Sequence, residues 1–216
     1  MDVPTHAKPR DVRPNESPAK VQAIVLAAGR STRMGGPNKL MTHFDGMPLI
    51  RHTVERALAS SASGVVVVTG HQPARIRAAL EGLDVAFAHN PDFASGLASS
   101  LKAGIAAVGD DAGGALILLG DMPAVSSDVM DRLLSAFRKA GGQSIVRATH
   151  DGRRGNPVLL PRALFGAVAQ LEGDAGARHL VEAGTMPVVD IEVGEAAAID
   201  VDTREALESA GGVVQD

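Results

Sequence analysis

VQAIVLAAGRSTRMGGPNKL, residues 21–40, is the stretch from which the fold of this 216-residue chain is read. It opens as a short apolar run over 21–27, breaks at Ala28 and Gly29, and continues through Arg33, Gly35, Gly36 and Lys39. The run reads as a β-strand and the rest as the loop that leaves it. Glycines let backbone N–H groups approach an anion and turn toward it. Arg33 can grip phosphate oxygens through two N–H groups, while Lys39 acts as a mobile point charge. A loop after the first strand of an α/β sheet is also where such ligands bind. The stretch reads as a triphosphate-binding loop; the alternative is a basic, glycine-rich surface turn. It is not a Walker loop, because Lys39 stands between Asn38 and Leu40, nor a dinucleotide fingerprint, because Ser31 lies two places after Gly29.

Downstream, strand-like and helix-like stretches alternate, the signature of βαβ units and a mainly parallel sheet. Strands are expected at 65–69, 84–88 and 115–119. Helices are expected at 48–60, opened by Pro48, at 73–80, opened by Pro73, and at 97–108 and 126–140. Beyond Gly141 the pattern changes. Strands at 144–148 and 157–160 flank a charged turn, His150 to Arg154; helices follow at 161–171 and 175–183, then short strands at 188–193 and 197–201 and a helix at 203–210. Residues 1–20 carry four prolines in a polar segment without periodicity and read as a flexible extension. With no internal repeat or long linker, 21–216 reads as a single domain whose second half elaborates the same sheet.

Composition narrows the function. Aromatic residues make up 2% of the chain, with no Trp or Tyr, which argues against stacking platforms for single-stranded nucleic acid. The net charge of −4 gives no basic footprint for a nucleic-acid partner. Without cysteine, disulfides, thiolate catalysis and Cys-based metal sites are excluded. No apolar run is long enough to span a bilayer, and the N-terminus has no signal-peptide core, so a cytoplasmic protein is expected.

Two acidic positions stand out. The run 115–123, ALILLGDMP, is apolar as a strand buried on both faces must be, and ends in Gly120-Asp121. A hard carboxylate at the end of a central strand suits Mg²⁺, which takes one or two carboxylates plus substrate phosphates. The alternative is that Asp121 caps the following turn or helix. In 198–205, AIDVDTRE, Asp200 and Asp202 share a face if the stretch is extended, and either could be a second metal ligand. Asp202 could instead cap the last helix, with Glu205 closing a capping box.

The order LAAGRSTRMG…NKL, GLASSL, GDMP, GNPVLL, GDAGAR and DVDT resembles the MobA-like nucleotidyltransferases over residues 21–207, and most closely the molybdenum cofactor cytidylyltransferases. LAAG, rather than LAGG, is similar to the CTP-using branch. The resemblance implies a three-layer α/β/α, Rossmann-like, mainly parallel sheet of the nucleotide-diphospho-sugar transferase type. It also implies a Mg²⁺-dependent enzyme moving CMP from CTP to the terminal phosphate of molybdopterin, with release of pyrophosphate. On that resemblance Leu26, Ala27, Ala28 and Gly29 border the nucleotide, and Arg33 and Lys39 hold its phosphates. Ser99 and Ser100 read base and ribose, unless they belong to an ordinary loop-to-helix turn. Asp121 and Asp202 hold Mg²⁺, and residues 155–157 and 173–178 face the acceptor, with N-capping an alternative for Asp174. An anionic phosphate nucleophile needs no general base, which fits the lack of an acid/base constellation. The histidines lack metal-ligand spacing and read as structural unless His71 or His179 lines the acceptor pocket. Other readings are the same fold using GTP or another NTP with a different phosphorylated small molecule, a non-catalytic chaperone delivering cofactor to a molybdoenzyme client, and an oxidoreductase on the same scaffold.

Overall fold

The chain was analysed as a computed structural model, which describes residues 19–30, 38–44 and 46–198. The apolar run that opens the sequence forms strand β1 (Val21–Ala27), and every residue of it except Gln22 is buried. A two-strand ribbon, β2 (His43–Phe44) and β3 (Met47–Pro48), leads into helix α1 (Leu49–Leu58). The chain then forms β4 (Val65–Thr69), α2 (Pro73–Ala79), β5 (Ala86–His89), α3 (Leu97–Ala106), β6 (Gly114–Leu119) and α4 (Ser127–Lys139). The second half adds β7 (Ile145–His150), β8 (Arg153–Pro161), α5 (Phe165–Val168), α6 (Ala177–Glu182) and β9 (Val188–Glu192).

Seven strands make one sheet in the order β5-β4-β1-β6-β8-β7-β9. All run in one direction except β8, which pairs antiparallel with both β6 and β7. Strand alternation divides the core in two. Val21, Ala23, Val25 and Ala27 pack with Ile50 and Val54 of α1, Ile76 of α2, and Met130, Leu133, Leu134 and Phe137 of α4. Ile24 and Leu26 point the other way, toward Leu101 of α3, Val168 of α5 and Leu180 of α6. Those are the three layers expected. Fully burying each such aliphatic side chain stabilises the fold by about 1.5–3 kcal/mol, so the core needs few aromatics beside Phe137.

Local differences from the sequence reading have physical causes. Pro48 ends β3 and is the N-cap of α1 rather than its first residue. The strand expected at 84–88 is Ala86–His89. The expected charged turn His150–Arg154 shrinks to Asp151 and Gly152, both with positive φ (49° and 70°), as a two-residue hairpin requires. Arg153 and Arg154 instead pair with His150 and Thr149 inside β8. The helix expected at 161–171 is broken into a 3₁₀ turn, Arg162–Leu164, and the one-turn α5, because Pro161 still belongs to β8. The strand expected from 197 begins instead within a 3₁₀ turn, Gly194–Ala197, and the helix expected at 203–210 lies outside the described residues. So does most of the extension expected at 1–20; of its residues, Ala19 packs against the core and Lys20 pairs with Asp111 at 2.7 Å. No helix among the described residues is long and apolar enough to cross a membrane.

Candidate functional site

Parallel register sets β1 beside β6, with Leu26 opposite Leu119, so the chain segments leaving both strands emerge side by side. This is the crevice at which the strand order reverses, where open α/β sheets bind ligands. The pairing runs one residue further: Gly120 N–H donates to the Leu26 carbonyl at 3.1 Å, and the Thr53 hydroxyl of α1 donates to the Gly120 carbonyl at 3.2 Å. Gly120 is therefore fixed from two sides, and Asp121 follows it at the rim.

Lys39 reaches the same rim from the other direction. A 3₁₀ turn, Lys39–Met41, starts at the buried Asn38, whose side-chain oxygen accepts the Leu40 N–H at 3.1 Å. The Thr42 hydroxyl closes that turn on the Lys39 carbonyl at 2.5 Å. So placed, the Lys39 ammonium donates to Asp121 Oδ2, joining residues 82 positions apart. The two side chains are only 17% and 10% exposed. A pair so nearly desolvated is strongly coupled, since removing either partner leaves an uncompensated charge. Asp121 does not cap α4; Ser126 does, its hydroxyl accepting the Val129 N–H at 3.3 Å.

Leu26, Ala27 and Ala28 are buried at the end of β1, and Gly29 is exposed. Ser99 and Ser100 stand together at the start of α3, where both hydroxyls accept from the Asn90 amide at 2.9 and 3.1 Å. The single Ser99 hydroxyl proton is shared between the Gly96 carbonyl at 2.8 Å and the Asp92 carbonyl at 3.0 Å, so it helps hold the turn before the helix. Arg33, Asp200 and Asp202 lie outside the described residues.

Next to the crevice opens a cavity of about 380 Å³ between α3, β8 and α6. Its floor is aliphatic, with Leu26, Leu97, Leu101, Ile117, Leu119 and Val158. Its polar side chains are Arg147, Arg154, Asn156, Asp174, Arg178 and His179. Arg147 is held by Asp190 in a two-pronged pair at 2.9 Å each. Arg154 and Arg178 share one carboxylate, Glu182, and together they hold its pKa below the usual range; the hydrogen bond from Arg178 is the larger cause, that from Arg154 the next. Beside the cavity Gly96 lets the turn before α3 pack on the turn before α6: its φ is 113°, and a Cβ there would lie 2.3 Å from the Gly173 carbonyl oxygen. Of the stretches expected to face an acceptor, Gly155, Asn156, Asp174, Gly176, Ala177 and Arg178 line this cavity. Asp174 is not a helix cap, since Gly176 fills that position for α6. His179 lines the cavity, whereas His71 packs against Phe93. Sequence reasoning missed Arg147, although a charged residue interrupting the apolar run 145–148 was a visible signal. It also missed Glu182, whose pairing depends on two elements distant in sequence.

Comparison with known proteins finds relatives along most of the chain. The family profile described as the MobA-like NTP transferase domain matches residues 23–188. Nicotine blue oxidoreductase from Paenarthrobacter nicotinovorans is 32% identical over 195 residues, 87% of this chain and 94% of the relative. Molybdenum cofactor cytidylyltransferase from Escherichia coli K12 is 28% identical over 186 residues, 86% of this chain and 92% of the relative. Among solved structures, Rv0371c from Mycobacterium tuberculosis H37Rv in complex with manganese superposes with a TM-score of 0.73 at 27% identity, covering 88% of this chain and 97% of its own.

Proposed function

The chain belongs to the MobA-like NTP transferase family, and from that premise we propose that it transfers CMP from CTP to the terminal phosphate of a molybdopterin-type acceptor, releasing pyrophosphate. The observation that carries this reading is the meeting of Lys39 and Asp121 across the crevice between β1 and β6. The similarity to the Escherichia coli cytidylyltransferase supports the choice of nucleotide and acceptor.

An acceptor phosphate oxygen attacks the α-phosphorus, the bond from that phosphorus to the bridging oxygen breaks, and pyrophosphate leaves with the electron pair. The nucleophile is already anionic, so the protein's task is to position reactants and neutralise charge. Lys39 and Asp121 satisfy each other, which keeps both side chains oriented. A bound triphosphate gives the ammonium phosphate oxygens as partners and frees the carboxylate for a cation. Arg33 is proposed to share the phosphate charge. The donor set fits a hard divalent ion: Asp121 is a carboxylate that already holds a cation, the Lys39 ammonium, and the chain has no thiolate to offer. Asp121, with Asp202, would hold Mg²⁺, which when bound neutralises phosphate charge as a Lewis acid. Leu26 to Gly29 and Ser99 to Ser100 would border the nucleotide. The cavity beside Asn156, Asp174 and Arg178 would seat the acceptor, and its arginines suit an anionic one. A cytoplasmic setting belongs to the same reading.

A second reading rests on the relative that is an oxidoreductase, 32% identical along 87% of the chain. One assay separates the two. The protein is given CTP, GTP, ATP or UTP with Mg²⁺ and molybdopterin, and pyrophosphate is measured; in parallel, oxidation of a reduced nicotinamide cofactor is followed with a quinonoid dye. The transferase reading expects pyrophosphate with CTP first. Pyrophosphate with none of the four, together with nicotinamide oxidation, would overturn it.

A further inference from the structure

We propose that three consecutive residues after β4, Gly70, His71 and Gln72, act with Phe93 as a clasp that sets the positions of Arg30 and Lys39; its bearing on catalysis rests on the nucleotide-site reading above. The chain enters the nucleotide region at residues 28–30 and leaves it at 38–39. The clasp grips both places. On the entry side, His71 N–H donates to the Ala28 carbonyl at 3.1 Å. The Arg30 guanidinium lies 5.4 Å over the Phe93 ring, and the His71 ring is 6.0 Å from Phe93 at an interplanar angle of 48°. On the exit side, the Asn38 amide donates to Gln72 Oε1 at 3.4 Å, one residue before Lys39.

Two local features fit this arrangement. Gln72 sits at φ 52°, ψ 51°, a left-handed conformation that a residue with a Cβ adopts at a cost. That conformation lets its side chain accept from Asn38 on one side and from Arg75, at 3.3 Å, on the other. Gly70 is needed for contact rather than for a turn: a Cβ there would lie 2.6 Å from the Phe93 Cβ and 2.8 Å from the Ala28 Cβ. Any side chain at 70 would push Phe93 off the turn and out from under Arg30. Phe93 is itself tied down, because Asn90 N–H donates to the Thr69 carbonyl at 2.7 Å and the Asn90 amide holds Ser99 and Ser100. The clasp thus links β4, the turn before α3 and both approaches to the crevice. Gln72 and Phe93 are positioning residues, since they act on the cations rather than on substrate.

Trypsin tests this directly, because it must seize the Arg30 guanidinium to cut the bond to Ser31. Cleavage after Arg30 is timed, without nucleotide, in wild type, Phe93→Leu, Phe93→Tyr and Gln72→Gly. Gln72→Gly keeps the left-handed backbone available and removes only the side chain. Releasing one cation–π contact is expected to speed cleavage about fivefold in Phe93→Leu, with Phe93→Tyr close to wild type. In the transfer assay, Phe93→Leu and Gln72→Gly are expected to raise KM for CTP several-fold, about as much as one lost polar contact, with kcat little changed. Unchanged cleavage in Phe93→Leu together with unchanged KM in Gln72→Gly would overturn the clasp. If wild type itself neither binds nor uses CTP, the nucleotide reading fails, and the cleavage rates alone decide the clasp.

Discussion

From β5 to β6 the sheet is held by parallel pairing and aliphatic packing on both faces, and its chemistry sits on backbone-fixed turns: Gly120 bonded to Leu26, Asn38 capping the turn that carries Lys39. From β8 to β9 the working side chains are held differently. Arg147 depends on Asp190, and Arg154 and Arg178 on Glu182, all of them pairs at least partly in solvent. Glu192 ties the β7–β8 hairpin by accepting from the Thr149 hydroxyl and from the Asp151 and Gly152 N–H groups, at 3.0–3.3 Å. Exposed ion pairs contribute little to stability and adjust easily. One half therefore fixes its charged pair through backbone bonds, and the other holds its guanidinium groups through pairs that water reaches.

The sharpest way to break that contrast is Asp121→Ala. Pyrophosphate release is expected to fall on the order of a thousandfold, the scale of losing a charge-stabilising group in the transition state, with an unchanged circular dichroism spectrum. Wild-type turnover would remove Asp121 from the site. Leu116→Ala in β6 is expected to cost about 3 kcal/mol in a urea titration, because Leu116 is fully buried in the sheet's centre. Lys39→Ala is expected to raise KM for CTP and lower kcat, each by about tenfold, one charge-assisted contact's worth. Arg178→Gln, by contrast, is expected to leave the urea midpoint in place and to raise KM for the acceptor alone. If it raised KM for CTP equally, the cavity would belong to the nucleotide. The smallest effect is in pH. Glu182 has its pKa depressed, so its ties to Arg178 and Arg154 are complete above the ordinary carboxylate range and are lost as pH falls through the lowered value. Acceptor KM of wild type and of Glu182→Gln should therefore differ at neutral pH and converge in acid, a comparison in which titration of the substrates' own phosphates cancels.

The same contrast explains what could be read from the sequence. Strands β1 and β4 lie at the residues expected, because a strand buried on both faces must be an unbroken apolar run. Lys39 and Asp121 stood out because glycines and strand ends surround them. Beyond Gly141 the signal weakens. Arg153 to Pro157 carries turn residues and charges, yet hairpin pairing across Asp151 and Gly152 to β7 draws its start into β8. The β2–β3 ribbon is two residues per strand, too short to show alternation. The left-handed Gln72 and the contact of Phe93 with Gly70 involve no motif, only residues brought together by folding.

The reversed direction of β8 has an evolutionary corollary. Its opening residues, not its closing ones, stand level with the carboxyl end of β6, so one wall of the cavity, from Arg154 to Asn156 and from α6, comes from sequence far from the segments that carry Lys39 and Asp121. Under the transferase reading, relatives can exchange that wall, and with it the acceptor, while keeping Lys39 and Asp121 in place. A chimera carrying another relative's residues 145–182 would be the laboratory version of that exchange.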